Sequence, residues 1–517
     1  MNGNESTITG GFGHRIIQTT IINNDPNPLL EKIDELIRAN ILLESNAALW
    51  EDNYKKLEAE YANRNELPDY KQRPLELRAE GKIEEAIEAI DTDASDEEAA
   101  NRHIFKAELL IDNFQFEEAE QEYKKAVMIF PSSNNNFAVA YFYSTLNKFS
   151  EAITYYNNSL NLATYQQERA GILNNLGLLH SETNEYTKAL EEYKEALDIY
   201  KKLAKENPKE YLPEVAVTLH NLAILHCSTN EYQKALKKCE EATNIRRKLA
   251  EENPNKYLSW VAMTLNILAL LHSDINEYPK ALEEYEEALD IYRKLAEENP
   301  NEYLSYVAVI LNNLAILYCK TNEYPKALEE CEEALKIYRK LAEENPKAYL
   351  PEVARILHNM AISHRNINEY SKALEENEEA LKIRRKLAEE NPNAYLSWVA
   401  MTLSNLANLH CNVNEYQKAL EENEEALKIY RKLAEENPKV YLPDVARTLN
   451  NLSTIFCIVD VPNKELSLKY ASEAVEVLGK CNDSPFVREQ LEKTIGIVIG
   501  WIMNSNIEMD NEEDASV

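Results

Sequence analysis

The chain has 517 residues and a formal net charge of −33, from 89 acidic and 56 basic side chains. A surplus of that sign excludes nucleic-acid binding through phosphates and attraction to anionic membrane surfaces. Ten glycines and almost no regular alternation of apolar and polar residues leave little room for sheet.

In chain order, residues 1–26 are rich in Asn, Thr, Ile and Gly. They read either as a flexible leader or as a small strand-forming adaptor built on pieces at 6–9 and 16–22. Within 27–66 a seven-residue period takes over. Leu29, Leu36, Leu43, Trp50 and Leu57 form one series, and Ile33, Asn40, Ala47, Tyr54 and Tyr61 form its complement. That is the seam of a coiled coil, with Asn40 as the polar residue that fixes register. It predicts a long helix that makes the protein a homo-oligomer; the alternative is a helix folded back as a cap.

Residues 67–170 hold shorter helix-pair units anchored at Ala86, Ala119 and Ala152, after a linker or ragged start at 67–74. The acidic stretch 91–98 reads as a solvated loop. From 171 to 480 the units lengthen. Asn-Glu-Tyr recurs at 184, 230, 276, 322, 368 and 414, a constant step of 46 residues, which marks a solenoid. In the unit after Leu304, Ala308, Leu311, Leu314, Ala315 and Tyr318 form one apolar stripe at helical spacing. A second helix runs from Pro325 through Ala327, Cys331, Ala334 and Tyr338. It ends before Asn345-Pro346, because the residue before proline avoids the helical region. Neither stripe can be buried within one unit, so units stack. The expected fold is all-α, a solenoid of about ten helix-turn-helix units. Pro213, Ser259, Ser305, Pro351, Ser397 and Pro443 share one position and read as helix starts. Residues 481–503 are expected to cap the array, and 504–517 to form an acidic, disordered tail.

Leu314, Ala315, Tyr318, Tyr324, Ala327, Cys331 and Ala334 carry a family resemblance. They match the tetratricopeptide repeat pattern, and the long units look most like those of kinesin light chains and related bacterial proteins. The resemblance implies a right-handed solenoid that acts as a protein-binding scaffold without catalysis. It also implies a groove lined by the first helix of each unit, at positions 2, 5, 9, 12 and 13, with position 6 beside them. At positions 5 and 6 stand Asn174 and Asn175, His220 and Asn221, Asn266 and Ile267, Asn312 and Asn313, His358 and Asn359, Ser404 and Asn405, and Asn450 and Asn451. In such relatives matching asparagines hold bound peptide. An Asn amide offers both a donor and an acceptor to a peptide unit, so position 5 is expected to face the ligand. At position 6 a bond to the neighbouring helix is the equal alternative. Arg355 and Arg447, at position 2, join this candidate partner site.

Catalysis and metal binding find little support. His180, His226, His272, His364 and His410 share the place that Tyr318 fills in another unit, which implies packing rather than ligation. His226-Cys227 and His410-Cys411 are sequence neighbours and so diverge by about 100° around a helix, leaving a Cys-dependent hydrolase centred on Cys411 as a distant alternative. No metal motif, phosphate loop or nucleophile elbow stands out, and no cofactor is expected. Seven cysteines, an odd number without CxxC spacing, suit reduced thiols in a cytoplasm. The N-terminus lacks a signal-peptide pattern. The longest apolar candidate span, 495–503, is too short for a bilayer. The expected partner is a protein or peptide, with no nucleic acid and no membrane. Two functions remain open: a scaffold, or a sensor subunit of a bacterial defence or signalling system acting with a separate effector.

Overall fold

A computed structural model describes residues 68–90, 96–113, 115–458, 462–481 and 484–514. The leader and the heptad segment 28–62 lie outside these residues. Among them are ten helix pairs followed by one last helix. The chain is an all-α solenoid.

Local rules set the repeat. The Asn of each Asn-Glu-Tyr tripeptide has positive φ, between 58° and 64° at Asn184, Asn230, Asn276, Asn322, Asn368 and Asn414. Left-handed backbone is costly for most side chains and comparatively cheap for Asn. The next amide closes the turn onto the first helix, as Glu323 N donates to Tyr318 O at 2.8 Å. The following Tyr hydroxyl donates back to that Asn, Tyr324 to Asn322 Oδ1 at 2.8 Å, and opens the second helix, Tyr324–Glu344. At its far end Asn345 has ψ 84°, as a residue before proline should, and Pro346 begins the next first helix.

The residues at the next shared position are not helix starts: Ser259, Ser305 and Ser397 also lie inside their helices. The first helix begins five residues earlier, at Pro208 in Pro208–Ser228, and Pro213, like Pro351 and Pro443, lies inside its helix. Each forgoes one backbone bond. Two prolines in one stretch both satisfied the local rule for a start, and the Asn-Pro junction decided which one served.

The long helices have 21 residues, about 31 Å at 1.5 Å per residue. The second helices of the three shorter pairs have 6, 14 and 14. Small residues let the backbones approach, with Ala308, Ala327 and Ala334 wholly buried. The helix Pro300–Lys320, rather than 495–503, is long and apolar enough to cross a membrane by length and composition; half of that window is buried in the protein. The helix Asp96–Asp112 begins within the acidic stretch read as a loop, and the helix Asp69–Ala79 contains Pro74 of the supposed linker. The last helix, Pro485–Asp514, passes the 503 boundary.

Two compact units divide after Leu304. The first runs through the pair ending at Glu298 and into the helix Pro300–Lys320. The second holds the remainder of that helix, the pairs that follow and the last helix.

Candidate partner-binding face

The first helices align their position-5 and position-6 residues, and at three places these side chains engage one another across successive repeats. In the first unit Asn221 Nδ2 donates to Asn174 Oδ1 at 3.4 Å. In the second, Asn359 Nδ2 donates to Asn312 Oδ1 at 2.7 Å, and Asn405 Nδ2 lies 3.5 Å from His358 Nδ1. Position 6 of one repeat therefore braces position 5 of the repeat before it. Asn312, Ser404 and Asn450 have no exposed surface, and His220 is 9% exposed. Asn174, Asn175, Asn266, Asn313, His358, Asn359 and Asn405 are half-buried. The end of the ladder is closed by the last helix: Asn450 Nδ2 donates to Gln490 O at 2.9 Å, and Thr494 Oγ1 donates to Asn450 Oδ1 at 2.7 Å. Lys493 Nζ donates to Asn451 Oδ1 at 3.1 Å. Arg355 is held by Glu352 at 2.8 Å and Arg447 by Asp444 at 2.8 Å, each one turn back in its own helix.

What stands open is the residue one turn beyond position 5. Leu178, half-buried, and Ile224 and Leu270, each 41% exposed, occupy it in the first unit. In the second unit Ile316 is 39% exposed and Ile362 half-buried, after which Asn408 and Thr454 follow. Aliphatic side chains that surface at the same place in successive repeats are unlike singly scattered ones. Position 9 was among the groove positions implied by the resemblance, but its side chains attract no notice until their exposure is seen.

Under this face lie two buried cations that sequence reasoning missed. Arg246 and Arg384 stand where Tyr200, Tyr292, Tyr338 and Tyr430 stand in other repeats, and are 1% and 3% exposed. Each guanidinium rests over an indole, Arg246 on Trp260 at 5.5 Å and Arg384 on Trp398 at 5.3 Å. Each also donates to a threonine, Thr264 and Thr402. Burial draws both down to about 10. The histidines in front are held neutral by burial first and the arginine second, His220 down to about 3 and His358 to about 4.

Models of the tetratricopeptide repeat match residues 131–202, 214–294 and 306–386, and a further one matches 399–438. The chain belongs to the tetratricopeptide repeat family. Among solved structures it is similar to a Rap protein complexed with competence and sporulation factor, at 16% identity and a TM-score of 0.44 over 75% of this chain and 98% of that one. It is similar to the apo form of RapI at 15% identity and 0.42, over 59% and 99%. BtubC (BKLC) from P. vanneervenii gives 22% and 0.41, over 49% and 94%. No curated protein matches the chain.

In this tetratricopeptide array the position-11 histidines tie the two helices of a repeat together. Nδ1 of His180, His272, His364 and His410 lies 2.7–2.9 Å from Glu192, Glu284, Glu376 and Glu422 on the second helix. Burial pushes all four carboxyls up. His226 turns to Glu231 at 2.6 Å instead, since Lys238 occupies the matching second-helix place. The cysteines move the wrong way for a nucleophile. Burial pushes Cys227 and Cys319 up, Cys411 to about 11 and Cys239 to about 12, whereas a reactive thiol needs a lowered value. Among the described residues no group of three His, Cys, Asp or Glu side chains is placed to hold a metal.

Proposed function

We propose that this tetratricopeptide protein is a non-catalytic scaffold that takes a segment of a partner protein on the open face of its first helices. The observation that carries the reading is the exposed aliphatic side chain repeated at position 9 beside a charge-poor polar ladder. Apolar surface returns about 25 cal/mol per Å² when covered, and the half-buried amides at Asn174 and Asn266 can add orientation. The heptad seam from Leu29 to Tyr61 has a separate task, bringing copies of the chain together.

Both parts are open to test. Full-length protein and the variant Ile224→Asp/Leu270→Asp are used as bait in extract of the native host. The reading requires a partner that the wild type retains and the variant loses while its melting temperature holds. A partner retained equally by both overturns it. For the seam, Leu36→Asp/Leu43→Asp in the full chain lowers the mass seen by light scattering; an unchanged mass removes self-association through this segment.

A further inference from the structure

The shape of the row says which kind of segment fits it. Leu178, Ile224 and Leu270 come from three consecutive first helices of the first unit, Gln166–Glu182, Pro208–Ser228 and Pro254–Asp274. The first two of these helices touch through Asn221 and Asn174. The second and third share a cluster in which Ala223 and Cys227 pack with Leu268 and Ile267. Packed helices lie about 8–10 Å apart, so the row has a pitch of about 10 Å. Four residues further on stand Glu182, Ser228 and Asp274, all exposed, which gives the row an acidic flank on the same helical face.

Three backbone forms can be set against that pitch. In a β-strand, three residues cover about 10 Å, but side chains three apart point to opposite faces. Polyproline II brings every third side chain to one face at about 9 Å, yet such ligands are taken by aromatic-lined grooves, and this row is aliphatic. An α-helix places residues seven apart on one face at about 10.5 Å.

We propose that the first unit binds an amphipathic α-helix of the partner, laid across the first helices. Aliphatic side chains at seven-residue intervals seat on Leu178, Ile224 and Leu270, and basic side chains face Glu182 and Asp274. This rests on the scaffold reading and adds the conformation and charge of the ligand.

The test uses the full chain and three labelled synthetic probes in fluorescence anisotropy. One is a helical peptide of about 18 residues with leucines at its positions 1, 8 and 15 and lysines beside them. The second has the same composition with leucines at 1, 6 and 11. The third is a proline-rich peptide with leucine at every third place. The heptad probe should bind at least tenfold tighter than the other two. Leu270→Asp should weaken it at least tenfold without moving the melting temperature, and added salt should weaken it further. Equal binding of the first two probes, indifference to Leu270→Asp, or no binding of the heptad probe overturns the helix. Tighter binding of the proline-rich probe, lost on Leu270→Asp, also overturns the helix while leaving the face as the partner site.

Discussion

At position 5 of the first unit, His220 has a buried Nδ1 with no hydrogen-bond partner, because the residue one repeat later at position 6 is Ile267. At the same place in the second unit, His358 Nδ1 meets Asn405 and Asn312 Oδ1 meets Asn359, while Asn312 Nδ2 and Ser404 Oγ are buried without a partner. The position-9 row contrasts in the other sense: three aliphatics in the first unit, but Asn408 and Thr454 after Ile362 in the second. The first helices of the second unit also carry Lys320, Lys347, Arg355, Arg365, Lys439 and Arg447 against Glu352 and Asp444. One 46-residue period thus makes two kinds of surface. The period specifies turns and core, and single residues at positions 6 and 9 decide whether the face is knitted to itself or left apolar and open.

The largest way to break that contrast is at the end of the second unit. Asn450 is wholly buried and bonded to both Gln490 and Thr494. Asn450→Ala removes both bonds, leaving Thr494 Oγ1 its bond to Gln490 O at 2.8 Å, at a cost of about 1–3 kcal/mol for the two. Thermal denaturation should show the loss. Hydrogen exchange should show it concentrated in Pro438–Ile458 and in Pro485–Asp514.

Acid tests the two histidines next. Their folded values, about 3 for His220 and about 4 for His358, lie below the ordinary value near 6.5. Between these limits the unfolded chain binds a proton that the folded one refuses, so their contribution is full above about pH 6.5 and is lost as pH falls. At pH 5 each has lost about 2 kcal/mol. The raised carboxyls of Glu192, Glu284, Glu376 and Glu422 pull the opposite way, because the folded chain takes up their protons first. The wild-type slope is therefore a balance. His220→Asn or His358→Asn should flatten the fall in melting temperature between pH 7 and 5 relative to wild type; an unchanged slope would mean the ring is reached by water.

Much of the fold was legible because its determinants are local. Asn-Glu-Tyr and Asn-Pro act within a few residues, and alternating stripes at helical spacing required stacked pairs. Pro213 misled for the same reason, as two prolines five residues apart satisfy one local rule. The candidate site was legible in place but not in state. Asn174, Asn312 and Asn450 lie on the first helices as expected, yet whether an amide is free depends on a partner 40 to 47 residues away, beyond any local signal. The buried arginines were hidden in Arg246-Arg247 and Arg384-Arg385. In sequence the members of each pair look alike. In the fold one stacks on tryptophan, while Arg247 and Arg385 reach Glu287 and Glu425 at the surface.

The smallest effects sharpen the comparison most, because they separate brace from ligand group at matched positions. Asn312 is wholly buried and accepts at 2.7 Å from Asn359, so Asn312→Ala should cost about 1–2 kcal/mol, as loss of a short buried bond does. Asn174 is half-buried and its bond to Asn221 is 3.4 Å long, near the limit at which such a contact counts. Water can replace it, so Asn174→Ala should cost less than about 0.5 kcal/mol. Urea denaturation of the two variants measures the gap. If Asn174→Ala is as damaging as Asn312→Ala, the first unit is braced as the second is. If Asn174→Ala leaves stability alone and weakens the heptad probe, its amide belongs to the ligand.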